Sequence, residues 1–210
     1  MEAWYTRAVT GVILAGGQSR RMGRDKALLP LAGRTLIEQV IARLRQACGE
    51  RLLLVTNAPD AYRRLGLPMV PDALPPGQSL VGIYTGLLHA QEAAFVCACD
   101  LPCLNPALIR HLERLARDAD VVIPRHGGEY EPLHAVYTPA CLEPIRRCAE
   151  RQGRNIGFLP EVRVRVVEED ELRRFDPDLR SFVNVNTPED YEAVRACMES
   201  SGREAEASQR

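Results

Sequence analysis

The 27 basic residues of this chain comprise one lysine, Lys26, and otherwise arginine. Arginine presents a planar fork, lysine a compact point charge. A sequence that uses arginine everywhere else and keeps one ammonium marks that position for a task the fork does not do. Lys26 closes the stretch Leu14-Ala15-Gly16-Gly17-Gln18-Ser19-Arg20-Arg21-Met22-Gly23-Arg24-Asp25-Lys26. Glycines directly after an apolar run let backbone N–H groups approach a phosphate with no side chain in the way. Arg20, Arg21 and Lys26 add positive charge to the same loop, and a triphosphate needs both features. Two better-known phosphate loops are excluded. Gly23 is followed by Arg24-Asp25-Lys26, so G-x-x-x-x-G-K-[ST] fails, and G-x-G-x-x-G is absent.

Asp100 is the second candidate. It ends the apolar run Phe95-Val96-Cys97-Ala98-Cys99, and a lone carboxylate there is costly to bury unless it meets a cation or donors. Mg²⁺ uses one or two carboxylates together with substrate phosphates, so Asp100 is the metal candidate. Asp72, after Met69-Val70-Pro71, is a third and weaker one that could accept from a base or ribose. Cys97, Cys99 and Cys103 match no zinc spacing and read as buried thiols. The four histidines are scattered and suggest no Ser-His-Asp arrangement.

These residues need a frame to bring them together. Residues 9–15 read as a strand buried on both faces. Residues 36–48 read as a helix, opened by Thr35 and Glu38 in a capping-box pattern, with Ile37, Val40, Ile41 and Leu44 on one face. Strands are expected at 52–56, 69–70, 95–99, 121–124, 133–137, 162–167 and 182–185. Helices are expected at 61–65, at 80–90, after Asn105-Pro106, after Thr138-Pro139 and after Thr187-Pro188. Such alternation predicts an α/β fold of three α/β/α layers, with a mostly parallel sheet and an antiparallel strand within residues 130–185. A single domain over residues 1–199 is expected, and residues 200–210 read as a polar, disordered tail. In sheets of this kind ligands bind beyond the carboxyl ends of the strands, where Gly16, Asp72 and Asp100 all fall.

Composition limits the partners. A net charge of −1 offers no field for a nucleic acid. Seven cysteines, an odd count mostly within apolar runs, argue for reduced thiols in a cytoplasm. No apolar run reaches the length of a membrane span, and the first eight residues lack a signal-peptide core.

The stretch from Leu14 to Lys26 resembles the signature loop of the molybdenum cofactor guanylyltransferases, nucleotidyltransferases with a Rossmann-like fold. The pattern L-A-G-G-x-S-x-R-M-G-x-D-K is met at every specified position. Relatives that use CTP or sugar-directed UTP more often carry Ala-Ala-Gly or Gly-x-Gly at the double glycine Gly16-Gly17. The likeness continues through Cys99-Asp100-Leu101-Pro102, Glu131-Pro132-Leu133-His134-Ala135-Val136-Tyr137 and Asn184-Val185-Asn186-Thr187-Pro188-Glu189-Asp190. It departs in the loop after Asp72, where many members have Gly-Pro-Leu and this chain has Gly77-Gln78-Ser79-Leu80-Val81-Gly82.

The resemblance implies transfer of GMP from GTP to molybdenum-bearing molybdopterin, with Mg²⁺ on Asp100. It implies backbone contacts to the guanine and ribose from Leu14, Ala15 and Gly16, and triphosphate binding by Lys26. Nucleotide contacts would come from Asp72 and the segment at Asn57, and Asn184 and Asn186 would face the cofactor. Arg20 and Arg21 would hold the β- and γ-phosphates. The implied partners are GTP, molybdopterin and a molybdoenzyme apoprotein or its chaperone. Two rival readings are a nucleotidyltransferase that uses CTP or acts on a sugar phosphate, and a carrier that binds nucleotide or molybdopterin without catalysis.

Overall fold

The computed structural model describes residues 9–16 and 25–207. Its organising strand is β1 (Thr10–Leu14), short and apolar, with neighbours on both sides. After a 3₁₀ turn, Lys26–Leu28, come the two-residue strands β2 (Pro30–Leu31) and β3 (Arg34–Thr35), paired as a small hairpin. The helix α1 (Leu36–Cys48) then starts where the sequence placed it. Glu38 accepts from the Thr35 backbone N–H at 2.6 Å and from its hydroxyl at 2.7 Å, which satisfies a donor the first turn leaves open.

The chain continues through β4 (Leu52–Val55), the one-turn α2 (Pro59–Tyr62), β5 (Met69–Val70), α3 (Ser79–Ala90), β6 (Ala94–Ala98) and α4 (Pro106–Leu115). The second half holds β7 (Val121–His126), β8 (Glu129–Tyr130), β9 (His134–Tyr137), α5 (Leu142–Glu150), β10 (Val164–Val167), α6 (Glu169–Leu172) and α7 (Pro188–Ala207). Asn105 caps α4 as expected, its side chain accepting from Ala107 N at 2.8 Å and Leu108 N at 3.3 Å. The helix α7 runs into the segment that the sequence suggested as a disordered tail.

The main sheet has the order β10-β7-β9-β6-β1-β4-β5, with β8 hairpinned onto β7. Strands β5, β4, β1 and β6 run parallel, as do β7 and β10, whereas β9 is antiparallel to both β6 and β7. That is the antiparallel strand expected in the second half. Alternate residues face opposite layers. Ile13, Leu54 and Cys97 join the core beneath α1 and α4, while Val12, Leu53 and Val96 join the one beneath α3 and α5. The fold is therefore three-layered. Among the described residues no helix is long and apolar enough to cross a membrane.

Residues 182–185 do not form the expected strand. They leave a 3₁₀ turn, Arg180–Phe182, and cross the carboxyl end of the sheet as an extended strap. Phe182 and Val185 are buried while Val183 and Asn184 between them are exposed, a spacing of three that departs from the two-residue alternation of a strand. Among the described residues no strand pairs with them. The Val185 N–H goes instead to the Asp100 carbonyl at 3.0 Å.

Candidate functional site

The parallel register fixes where the strands end. Leu14 pairs with Val55 on one side and Ala98 on the other, and Val55 pairs with Val70. Gly16, Asn57, Asp72 and Asp100 therefore leave their strands at one edge of the sheet. The antiparallel β9 begins at that same edge, since His134 pairs with Cys97, and this delivers Leu133. A cavity of 520 Å³ opens there. Its lining includes Leu14, Gly16, Lys26, Asp72, Cys99 and Asp100, with Gln78 and Ser79 from the start of α3. The volume suits a small-molecule ligand. Gly82 brings α3 close: a β-carbon there would lie 2.9 Å from a Leu14 methyl.

Lys26 reaches this cavity from the 3₁₀ turn. Its ammonium donates to Asp100 Oδ2 at 2.5 Å, to Asn186 Oδ1 at 2.8 Å and to the Val185 carbonyl at 3.2 Å. An ammonium has three donors, and all three are used. The sequence pointed to Lys26 and Asp100 separately; the structure brings them into one ion pair, both side chains largely buried. Asn186 is held ready by the cap of α7. Asp190 accepts from Asn186 N at 3.0 Å and Thr187 N at 2.8 Å, while Thr187 Oγ1 accepts from Asp190 N at 3.1 Å. The other Asp100 oxygen, Oδ1, is buried with no protein donor.

At the far side, Asn57 and Asp72 grip each other. Asn57 Nδ2 donates to Asp72 Oδ2 at 2.7 Å, and Asp72 N donates to Asn57 Oδ1 at 3.0 Å. Asp72 lines the cavity and Asn57 stands behind it. Ala15 is buried, its N–H given to the Val55 carbonyl at 2.9 Å. A smaller cavity of 280 Å³ adjoins, lined by Lys26, Leu29, Pro30, Val185, Asn186, Thr187, Pro188 and Tyr191. Lys26 borders both. Asn184 is exposed and lines neither. Gly17, Arg20 and Arg21 lie outside the described residues.

Two nearby groups are chemically quiet. Burial, reinforced by the Asp100 charge, pushes the Cys99 thiol up to about 12, so it stays protonated and is no nucleophile at neutral pH. His134 is fully buried between the Phe95 and Phe182 rings. Burial lowers its pKa to about 3, against the opposing pull of Asp176 and the Ser181 backbone. The unfolded chain binds a proton near the ordinary value of 6.5 and the fold does not. His134 therefore contributes stability above that value and loses it as pH falls from 6.5 towards 3. Urea unfolding at pH 7 and pH 5 is expected to differ by roughly 1 kcal/mol per pH unit from this residue, a slope that His134→Phe removes. An unaltered slope in the variant rejects a buried neutral imidazole.

Among the described residues no group of three or more His, Cys, Asp or Glu side chains could together hold a metal. Sequence reasoning missed Gln78, Ser79, Leu133 and Val185. The last two had a signal, since both lie in motifs already singled out; Gln78 and Ser79 were noted only as a departure.

A family model, the MobA-like NTP transferase domain, matches residues 11–164. The molybdenum cofactor guanylyltransferase of Desulfosudis oleivorans is 42% identical over 196 residues, which span 91% of this chain and 96% of that protein. The probable molybdenum cofactor guanylyltransferase of Pelotomaculum thermopropionicum is 39% identical over 194 residues, 91% and 94% of the two chains. Among solved structures, molybdopterin-guanine dinucleotide biosynthesis protein A from Archaeoglobus fulgidus superimposes with a TM-score of 0.78 at 27% identity, covering 90% of this chain and 98% of that one. These likenesses run the length of the sheet whose carboxyl edge carries Lys26 and Asp100. The chain belongs to the molybdenum cofactor guanylyltransferase family of MobA-like NTP transferases.

Proposed function

We propose that this chain transfers GMP from GTP to molybdenum-bearing molybdopterin, forming the guanine dinucleotide cofactor and releasing pyrophosphate. The observation that carries the reading is the position of Lys26, whose ammonium borders both cavities while paired with Asp100. The larger cavity takes GTP. Leu14 and Gly16 wall the nucleotide, with Ala15 fixing the strand end behind them, and Asp72 accepts from its base or ribose. Asn57 serves by holding Asp72. The smaller cavity, with Asn186 and the neighbouring Asn184, faces the pterin.

The attacking group is a phosphate monoester, anionic at neutral pH. One of its oxygens forms the new bond to the α-phosphorus as the bond to the β-phosphate oxygen breaks, and the electron pair leaves with pyrophosphate. No general base is required, and catalysis is positioning plus charge neutralisation. Lys26 exchanges one of its three acceptors for a phosphate oxygen. Arg20 and Arg21 hold the β- and γ-phosphates, with the Gly17 amide in the same loop.

Asp100 Oδ1, buried and without a donor, fits a hard cation that takes the rest of its oxygen ligands from phosphates and water. Mg²⁺ held there would offset charge on the phosphates. A reduced cytoplasm suits the thiols of Cys48, Cys97, Cys99, Cys141 and Cys148.

The test is pyrophosphate release from GTP, Mg²⁺ and molybdenum-loaded molybdopterin. Release is expected to require both substrates and to fail when CTP replaces GTP. GTP binding without release would make the chain a carrier and overturn the reading. Turnover with CTP but not GTP would overturn the nucleotide assignment.

A further inference from the structure

Lys26 rides on a three-residue 3₁₀ turn. A turn that short is not stable by itself, and the lysine stem adds four flexible bonds. Yet its ammonium lies 2.5 Å from Asp100. Something outside the turn must hold it. Asp25, the residue before Lys26, supplies one tie: its Oδ1 accepts from Ala27 N at 3.1 Å and caps the turn. The other carboxylate oxygen, Oδ2, receives the hydroxyl of Tyr62 in a short hydrogen bond.

Tyr62 ends α2, on the far side of β4 in sequence, and is 3% exposed. Its ring belongs to the same core cluster as Ile13, Ala15 and Ala27. The ring would be equally content there as phenylalanine. A hydroxyl in such surroundings is costly unless it has a partner, and its partner is the carboxylate that caps the Lys26 turn.

We propose that Tyr62 is a positioning residue for Lys26: its hydroxyl fixes the Asp25 carboxylate, and through it the turn that presents the ammonium to Asp100 and the substrate phosphates. The catalytic part of this inference rests on the proposed guanylyl transfer; the positioning part does not.

The test uses Tyr62→Phe, which keeps the ring and removes the hydroxyl. Lys26 is the sole lysine, so acylation by an N-hydroxysuccinimide ester reports its freedom directly when followed by mass spectrometry of the peptide containing it. Acylation of Lys26 is expected to accelerate about tenfold, the worth of one hydrogen bond to a carboxylate. The kcat for pyrophosphate release is expected to fall by a similar factor. In a Lys26→Ala background, Tyr62→Phe is expected to change kcat no further, because the lysine through which it acts is gone.

An unchanged acylation rate overturns the proposal, even if the variant melts at a lower temperature, since that is the mark of a merely structural bond. An additive loss in the double variant overturns it too. Faster acylation in a protein that shows no guanylyl transfer supports the positioning role and rejects only the proposed reaction.

Discussion

Replacing Lys26 with alanine is expected to lower the kcat for pyrophosphate release by a factor on the order of 10²–10³, as when one preorganised charge stabiliser is lost. The ammonium is the one protein cation among the described residues that lines both cavities. Its loss also leaves Asp100 Oδ2 without its donor. Both effects raise the barrier, the first by removing charge opposite the transferring phosphate and the second by adding uncompensated negative charge beside it.

Arginine is not expected to rescue. The ammonium meets three acceptors from two separate stretches, Asp100 on one side and Val185 and Asn186 on the other. A planar guanidinium presents its donors in a flat fork and cannot converge on them as a point charge does. The expected order of activity is therefore wild type well above Lys26→Arg, with Lys26→Ala lowest. Turnover of the alanine variant near wild type would show that Lys26 is no phosphate ligand.

The second large effect concerns Asp100. Asp100→Asn keeps the shape and the backbone bond from Val185 but removes the charge. The variant is expected to need at least about tenfold more Mg²⁺ for half-maximal rate, because a hard cation loses the charged carboxylate proposed to hold it. At saturating Mg²⁺ its kcat is expected to remain lower by roughly 10². A magnesium titration that superimposes on wild type rejects the metal role of Asp100, whatever happens to kcat.

Much of the frame could be read before any coordinates. Strand β1 and helix α1 announced themselves because their signals are local: an apolar run, a 3.6-residue stripe, and Thr35 with Glu38 at a fixed spacing. The placement of Gly16, Asp72 and Asp100 at strand ends was also legible, since each follows an apolar run directly. What could not be read were contacts made across the fold. Residues 182–185 are an apolar-rich run that suggests a strand, yet they pair with no strand of the sheet and cross it as a strap. The three-way grip on Lys26 combines residues with no sequence relation to one another. Tyr62 carried no signal at all, because a buried tyrosine on a single helical turn looks like any core aromatic until its hydroxyl is seen to meet Asp25.

The ammonium of Lys26 bridges partners 74 and 160 positions further along the chain. During synthesis the N-terminal portion leaves the ribosome first. It carries the glycine loop and the parallel strands well before Val185 and Asn186 exist. A nascent chain therefore holds the lysine without two of its three acceptors, and the mouth shared by the two cavities is assembled only after the stretch carrying Val185 and Asn186 has been made.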